Sequence, residues 1–146
     1  MQFRKDINGL RAVAVIAVVV FPTPPFWFTI AKTLAMQGAS VAATDRFIDI
    51  VEETVSEIEG VETLALKMDV TSQDDVDAAF AKVNSEWGQL DIVVNNAGSF
   101  SNDAETLMAV NLYGVERCCE AAIPQMKERR SGKIVNIGST AGHTIQ

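Results

Sequence analysis

A chain of 146 residues, 48% hydrophobic and 21% charged, is long enough for one domain with its own core and is composed like a globular protein. A net charge of −7 at pH 7 argues against nucleic acid or an anionic membrane surface as a non-specific partner. The two cysteines are neighbours, Cys118 and Cys119, and the one histidine is His143, so there is no disulfide framework and no metal-ligand spacing. Helix packing accounts for the cysteines and a surface position for the histidine, and a reducing, cytoplasmic setting is expected.

Residues 1–29 form an atypical amino-terminal segment. Arg4, Lys5 and Arg11 stand against one acid, Asp6, and the twenty residues from Ala12 to Ala31 carry no charge. A stretch of that length behind a basic flank reaches across a bilayer, so membrane contact by residues 12–31 is one alternative. Pro22, Pro24 and Pro25 interrupt it, and each proline costs roughly 3 kcal/mol in a helix interior. The continuous aliphatic part, Ala12 to Phe21, equally suits a buried first strand in which Val18-Val19-Val20 leads toward the prolines.

Beyond Thr29 the pattern is regular. Ile30, Ala31, Leu34 and Ala35 make a helical apolar stripe, stopped by Gly38. Ala39 to Thr44 reads as a short buried strand ending at Asp45. Phe47, Val51, Val55 and Ile58 then recur at helical spacing up to Gly60, and Val61 to Met68 alternates as a third strand ending at Asp69. Ser72 with Asp75 has the form of a capping box for a helix running to about Glu86, closed by Gly88. Leu90-Asp91-Ile92-Val93-Val94 is a strand buried on both faces that ends in Asn95-Asn96-Ala97-Gly98. Asn102 to about Arg130 is helical, with breaks expected before Asn111 and near Pro124, and Lys133 to Gly138 is the next strand. Strands alternating with helices over short links imply α/β architecture with a doubly wound parallel sheet, and ligands lie where such strands end.

Asp45, at the end of the second strand, is placed to accept hydrogen bonds from adenosine ribose hydroxyls and to repel a 2′-phosphate. That favours NAD(H) over NADP(H), with Arg46 beside it pulling the other way. Asn111, among Leu107, Met108, Val110 and Leu112, is expected as a buried amide in need of partners.

Asn95-Asn96-Ala97-Gly98 after a hydrophobic strand, with Met68-Asp69-Val70-Thr71, Val110-Asn111-Leu112-Tyr113-Gly114 and Gly132-Lys133-Ile134-Val135-Asn136-Ile137-Gly138-Ser139 in order, resembles the short-chain dehydrogenase/reductase family over about residues 30–146. The resemblance implies a Rossmann-type domain over 30–146, incomplete at about five strands. It also implies NAD(P)-dependent hydride transfer to or from a small alcohol or carbonyl substrate, and homo-oligomers. By the same resemblance Asp69 contacts the adenine amino group and Val70 adds a backbone contact. Asn95, Ala97 and Gly98 line the cofactor ribose. Ser139 hydrogen-bonds the substrate oxygen, and Asn111 bends its helix and holds a proton-relaying water; these last two are the catalytic candidates.

A second resemblance covers residues 1–21. Phe3-Arg4-Lys5-Asp6-Ile7-Asn8-Gly9-Leu10-Arg11 looks like the amino-terminal opening of membrane acyltransferases that modify cell-surface sugars, so a chimeric amino terminus is expected. Two parts of the dehydrogenase pattern have no counterpart in the sequence. Phe21 to Phe28, with three prolines that lack an N–H, stands where a Gly-rich loop cradles the pyrophosphate. The only tyrosine, Tyr113, has no lysine four positions later, and a tyrosine near its reference pKa of about 10 is a poor base at neutral pH. Weakened cofactor binding and no turnover are therefore expected of a truncated chain. The alternatives are a non-catalytic α/β fragment that associates through an exposed sheet edge or helix face, and a membrane-anchored fusion product.

Overall fold

The computed structural model describes residues 11–15 and 26–139, with side chains from Phe28 onward. Five parallel strands form one sheet in the order β3-β2-β1-β4-β5. They are β1 (Arg11–Val15), β2 (Ser40–Asp45), β3 (Thr63–Lys67), β4 (Ile92–Asn95) and β5 (Lys133–Asn136). β1 lies in the middle, with Val13 between Ala42 of β2 and Val93 of β4. The first strand thus comes from within residues 1–29, earlier than Val18-Val19-Val20, which fall outside the described residues.

Helices cover both faces, as parallel strands buried on both sides require. α1 (Phe26–Met36) and α2 (Ile48–Ser56) pack on one face. There Ala31, Ala35, Val41, Ala43, Val51 and Ile58 form a core cluster. Against the other face lie α3 (Gln73–Trp87) and α5 (Val115–Arg129). A larger cluster joins Val76, Phe80 and Val83 of α3 to Val93 of β4 and to Cys118, Ala122 and Met126 of α5. Between β4 and α5 run a short helix, α4 (Ala104–Met108), and a π-helical turn (Ala109–Gly114).

The expected capping box forms. Ser72 accepts the Asp75 N–H at 3.2 Å, and Gly88, with φ of 72°, closes α3 by donating to the Asn84 carbonyl. Two expectations are corrected. Phe47 does not share the apolar stripe of α2: its backbone is extended ahead of the helix, its side chain is 48% exposed, and the Arg46 guanidinium lies 4.7 Å from its ring. Pro124 does not break α5, which runs through it. The proline sits on the exposed side, where the carbonyl it leaves unpaired meets water, while Cys118, Ala122 and Met126 hold the buried side.

At the amino-terminal end of β4, Asp91 ties the sheet to α5. Its carboxylate pairs with Arg129 at 3.0 Å, and Arg129 also donates to the Leu90 carbonyl. The Asp91 carbonyl accepts from the Lys133 N–H, which sets the start of β5. Among the described residues β5 is the last strand on its side of the sheet, with three of its four residues exposed, and Val135 and the following Ile137 remain open on the face away from α5.

Candidate functional site

The carboxyl ends of β2, β3 and β4 open into a cleft of about 720 Å³. Arg46 reaches it from the end of β2, and Met68, Asp69, Val70 and Thr71 from the end of β3. Gly98, Ser99 and Phe100 form a third wall after β4. The fourth comes from α4 and the π-helical turn: Asp103, Glu105, Thr106, Ala109 and Val110.

Each wall is fixed by local hydrogen bonding. Asp69 Oδ1 accepts from the Thr71 N–H at 2.8 Å and the Thr71 hydroxyl at 2.7 Å. The Asp69 N–H donates to Asp75 Oδ2 at 3.0 Å, so the capping residue of α3 also anchors the end of β3. Val70 is 4% exposed, and its carbonyl accepts from Arg117 of α5 at 3.3 Å. Gly114 closes the π-helical turn directly against it: a Cβ there would stand 2.7 Å from Val70 Cγ2. A glycine is required at that contact because the turn and the β3 loop approach so closely.

The loop after β4 is held by Asn111. Its Oδ1 accepts the Ser99 N–H at 2.7 Å, and its Nδ2 donates to the Ser99 carbonyl at 3.0 Å. Asn111 is exposed, not buried as expected, because the π-helical turn carries it outward to meet the loop. The break expected before Asn111 is this wider turn. On α4, Asp103 caps the helix by accepting from the Thr106 hydroxyl and N–H, at 2.6 and 2.9 Å. The hydroxyl and then the amide of Thr106 hold the Asp103 carboxyl below the usual carboxylate range.

The cleft brings together Asp69, Val70 and Gly98 of the expected binding residues. Asp45 stands behind its wall, 1% exposed, with its Oδ1 accepting the Phe47 N–H at 2.8 Å. Asn95 is buried below the β4 loop. Its Nδ2 donates to Asn136 Oδ1 at 2.8 Å, whereas its Oδ1 finds no donor among the described residues. Ala97 is half-buried and packs on the α3/α5 core. Asn111 acts on the cleft through Ser99, and Ser139 lies exposed past the end of β5, outside the cleft lining. His143 lies outside the described residues.

Cys118 is buried, and burial, with Cys119 beside it, pushes its thiol up to about 12. Among the described residues no group of three His, Cys, Asp or Glu side chains is placed to hold a metal. No helix there is long and apolar enough to cross a membrane.

Sequence reasoning missed the fourth wall. α4 has five residues, too few to show a helical period, so Thr106, Ala109 and Val110 carried no signal as a surface. The one legible cue was Asp103 three residues before Thr106, the spacing of a helix cap.

The donor set fits one half of a dinucleotide. Val70, Ala109, Val110 and Phe100 offer apolar surface to a planar base, and Asp69 offers an acceptor at its edge. Among the described residues, Arg46 is the one cation of the lining.

Residues 27–146 match the family model described as short chain dehydrogenase. A cyclohexanol dehydrogenase from Rhodococcus sp. (strain TK6) is 34% identical, covering 80% of this chain and 53% of that protein. An NADP-dependent 3-hydroxy acid dehydrogenase from Shigella flexneri is 33% identical over 87% of this chain and 55% of its own. Among solved structures, a short-chain dehydrogenase/reductase from Burkholderia xenovorans superposes with a TM-score of 0.87 at 28% identity, covering 95% of this chain and 59% of that one. An NAD+-bound xylitol dehydrogenase gives 0.85 at 25% identity, covering 97% and 57%. The chain spans about half the length of the curated relatives it matches. The match begins at residue 27 and does not take in residues 1–21.

Proposed function

The chain belongs to the short-chain dehydrogenase family, and on that footing we propose that the cleft at the ends of β2, β3 and β4 is a nucleotide site that receives the adenine end of a nicotinamide dinucleotide. The family is one of NAD(P)-dependent oxidoreductases of Rossmann-type α/β fold. The observation that carries the reading is the convergence of Asp69, Val70 and Gly98, from two different strand ends, on one cleft. Asp69 is oriented by Thr71 for its part as acceptor, and Asn111 holds the opposite wall through Ser99.

When bound, the nicotinamide of such a cofactor gives or takes a hydride. Ser139 is present to bind a substrate oxygen, and a small alcohol or carbonyl compound is the substrate class. No tyrosine stands four residues before a lysine to move the proton. We expect no detectable oxidation of secondary alcohols or reduction of ketones, and measurable turnover of either contradicts this.

NAD(H) is preferred over NADP(H), because the Asp45 carboxylate ends β2 beside the cleft and repels a 2′-phosphate. Arg46 opposes it from the lining. In equilibrium dialysis, Arg46→Ala is expected to widen the preference for NADH and Asp45→Asn to narrow it. Binding of neither cofactor overturns the nucleotide reading.

A second reading rests on β5. Among the described residues no strand pairs with its outer edge, and with Val135 and Ile137 exposed at 43% and 39% that edge invites a further strand, including one from a second copy of the chain. Sedimentation at rising concentration tests it. Association that Val135→Lys abolishes supports self-pairing there, and a constant mass opposes it.

A further inference from the structure

Val70 is gripped from behind the cleft at two points, and both belong to the start of α5. Gly114 and Arg117 are three residues apart, the spacing of neighbours on a helix surface. The Val70 side chain packs on Gly114 so closely that a Cβ there would stand 2.7 Å from Cγ2. The Val70 carbonyl accepts from Arg117 Nη1 at 3.3 Å. Arg117 is half-buried and stands outside the cleft lining.

The peptide group that Arg117 holds carries the grip through to the cleft. In a trans peptide the C=O and the following N–H point to opposite sides. The Val70 carbonyl turns to Arg117, and the Thr71 N–H turns to Asp69 Oδ1 at 2.8 Å. The Thr71 hydroxyl donates to the same oxygen at 2.7 Å. Hydrogen bonds in such a chain polarise one another, and a charged donor at its head is stronger than a neutral one. Resting on the reading of the cleft as a nucleotide site, we propose that Arg117 is a positioning residue for nucleotide binding. It fixes the Val70–Thr71 peptide, and that peptide fixes the Asp69 carboxylate in the cleft wall. Arg117 acts on the ligand through Asp69 and touches no ligand atom itself.

Titration of the full chain with NADH tests this in Arg117→Met, Arg117→Lys, Asp69→Ala and the double variant of Arg117→Met with Asp69→Ala. Methionine keeps an apolar stem and removes the donor. The expected result is about a fivefold loss of NADH affinity in Arg117→Met, the worth of one hydrogen bond. A single bond from Nη1 is at stake, so Arg117→Lys, which keeps a charged donor, is expected to hold affinity within about twofold. With Asp69→Ala already present, Arg117→Met is expected to cost less than about twofold, because its route to the ligand is gone. Amide exchange gives a readout without ligand. Thr71 is expected to quicken about fivefold in Arg117→Met while Val41 and Val76, both fully buried, keep their rates. Three outcomes overturn the proposal and leave the nucleotide reading standing: a full-sized loss that persists beside Asp69→Ala, a lysine variant as weak as the methionine one, or exchange that quickens in the core as much as at Thr71. Failure of NADH to bind the unaltered chain overturns both.

Discussion

At Gly114 the π-helical turn touches Val70 so closely that one added methyl decides the packing. A Cβ would stand 2.7 Å from Val70 Cγ2 and 3.0 Å from Val70 Cβ. Gly114→Ala gains up to about 1 kcal/mol in helix propensity. It loses about 1–3 kcal/mol by overpacking. The second effect is expected to win, with a net loss of about 1 kcal/mol in urea unfolding and weaker nucleotide binding, because Val70 must move. Unchanged stability contradicts so tight a contact. Asn111→Ala removes both hydrogen bonds to Ser99. Each is worth about 1 kcal/mol at most in so exposed a place. Amide exchange at Ser99 is expected to quicken by about tenfold while global stability changes little. Cys118, pushed up to about 12 by burial, stays a neutral thiol through physiological pH. Its folded value lies above its ordinary one of 9.0, so the stabilisation it gives is complete below about pH 9 and declines as pH rises toward 12. Alkylation is expected to modify Cys119 well before Cys118, and equal rates contradict the burial.

Among the elements, α5 is held at its carboxyl end by the Arg129–Asp91 pair, whose side chains are 27% and 8% exposed. Arg129→Ala leaves the Asp91 carboxylate buried with its strongest partner gone, a loss of about 3 kcal/mol. The expected result is a lower urea midpoint with an unchanged slope. A loss under about 0.5 kcal/mol marks the pair as no better than a surface one. At α4, acid is expected to undo the Asp103 cap. Its folded value is depressed, so the stabilisation is present above the ordinary carboxylate range and is lost as pH falls through the folded value. Much of this scale was legible in the sequence, because α3 announces both its ends through Ser72, Asp75 and Gly88. Phe47 misled because helical spacing records periodicity and not where the helix begins, and the Asp45 turn places it ahead of the first turn of α2. Pro124 misled because a proline on a solvated face of a well-packed helix leaves its neighbour's carbonyl to water.

For the whole molecule, the alternation of strands with helices was sufficient to reveal a parallel sheet wound on both sides, and the sheet is of that kind. The placement of β1 was not legible. Ala12 to Phe21 is uniformly aliphatic, without a polar residue to fix register, so nothing in it distinguishes Arg11–Val15 from Val18–Val20 as the strand. The site was half legible. Strand ends announce themselves by the polar residues that follow them, as Asp69 and Asn95 do, whereas the wall supplied by α4 and its π-helical turn arises from tertiary contact alone. Asn111 shows the difference, because its partner is the backbone of Ser99 and the identity of Ser99 does not matter to it. The measurement that bears most directly on the nucleotide reading is amide chemical-shift mapping of the full chain titrated with NADH, with Asp69→Ala beside it. The expected result is saturable shifts centred on Val70, Thr71, Gly98 and Ser99, weakened in the variant. Shifts that fail to saturate, or that centre on β5, or that survive Asp69→Ala unchanged, contradict a nucleotide site in this cleft.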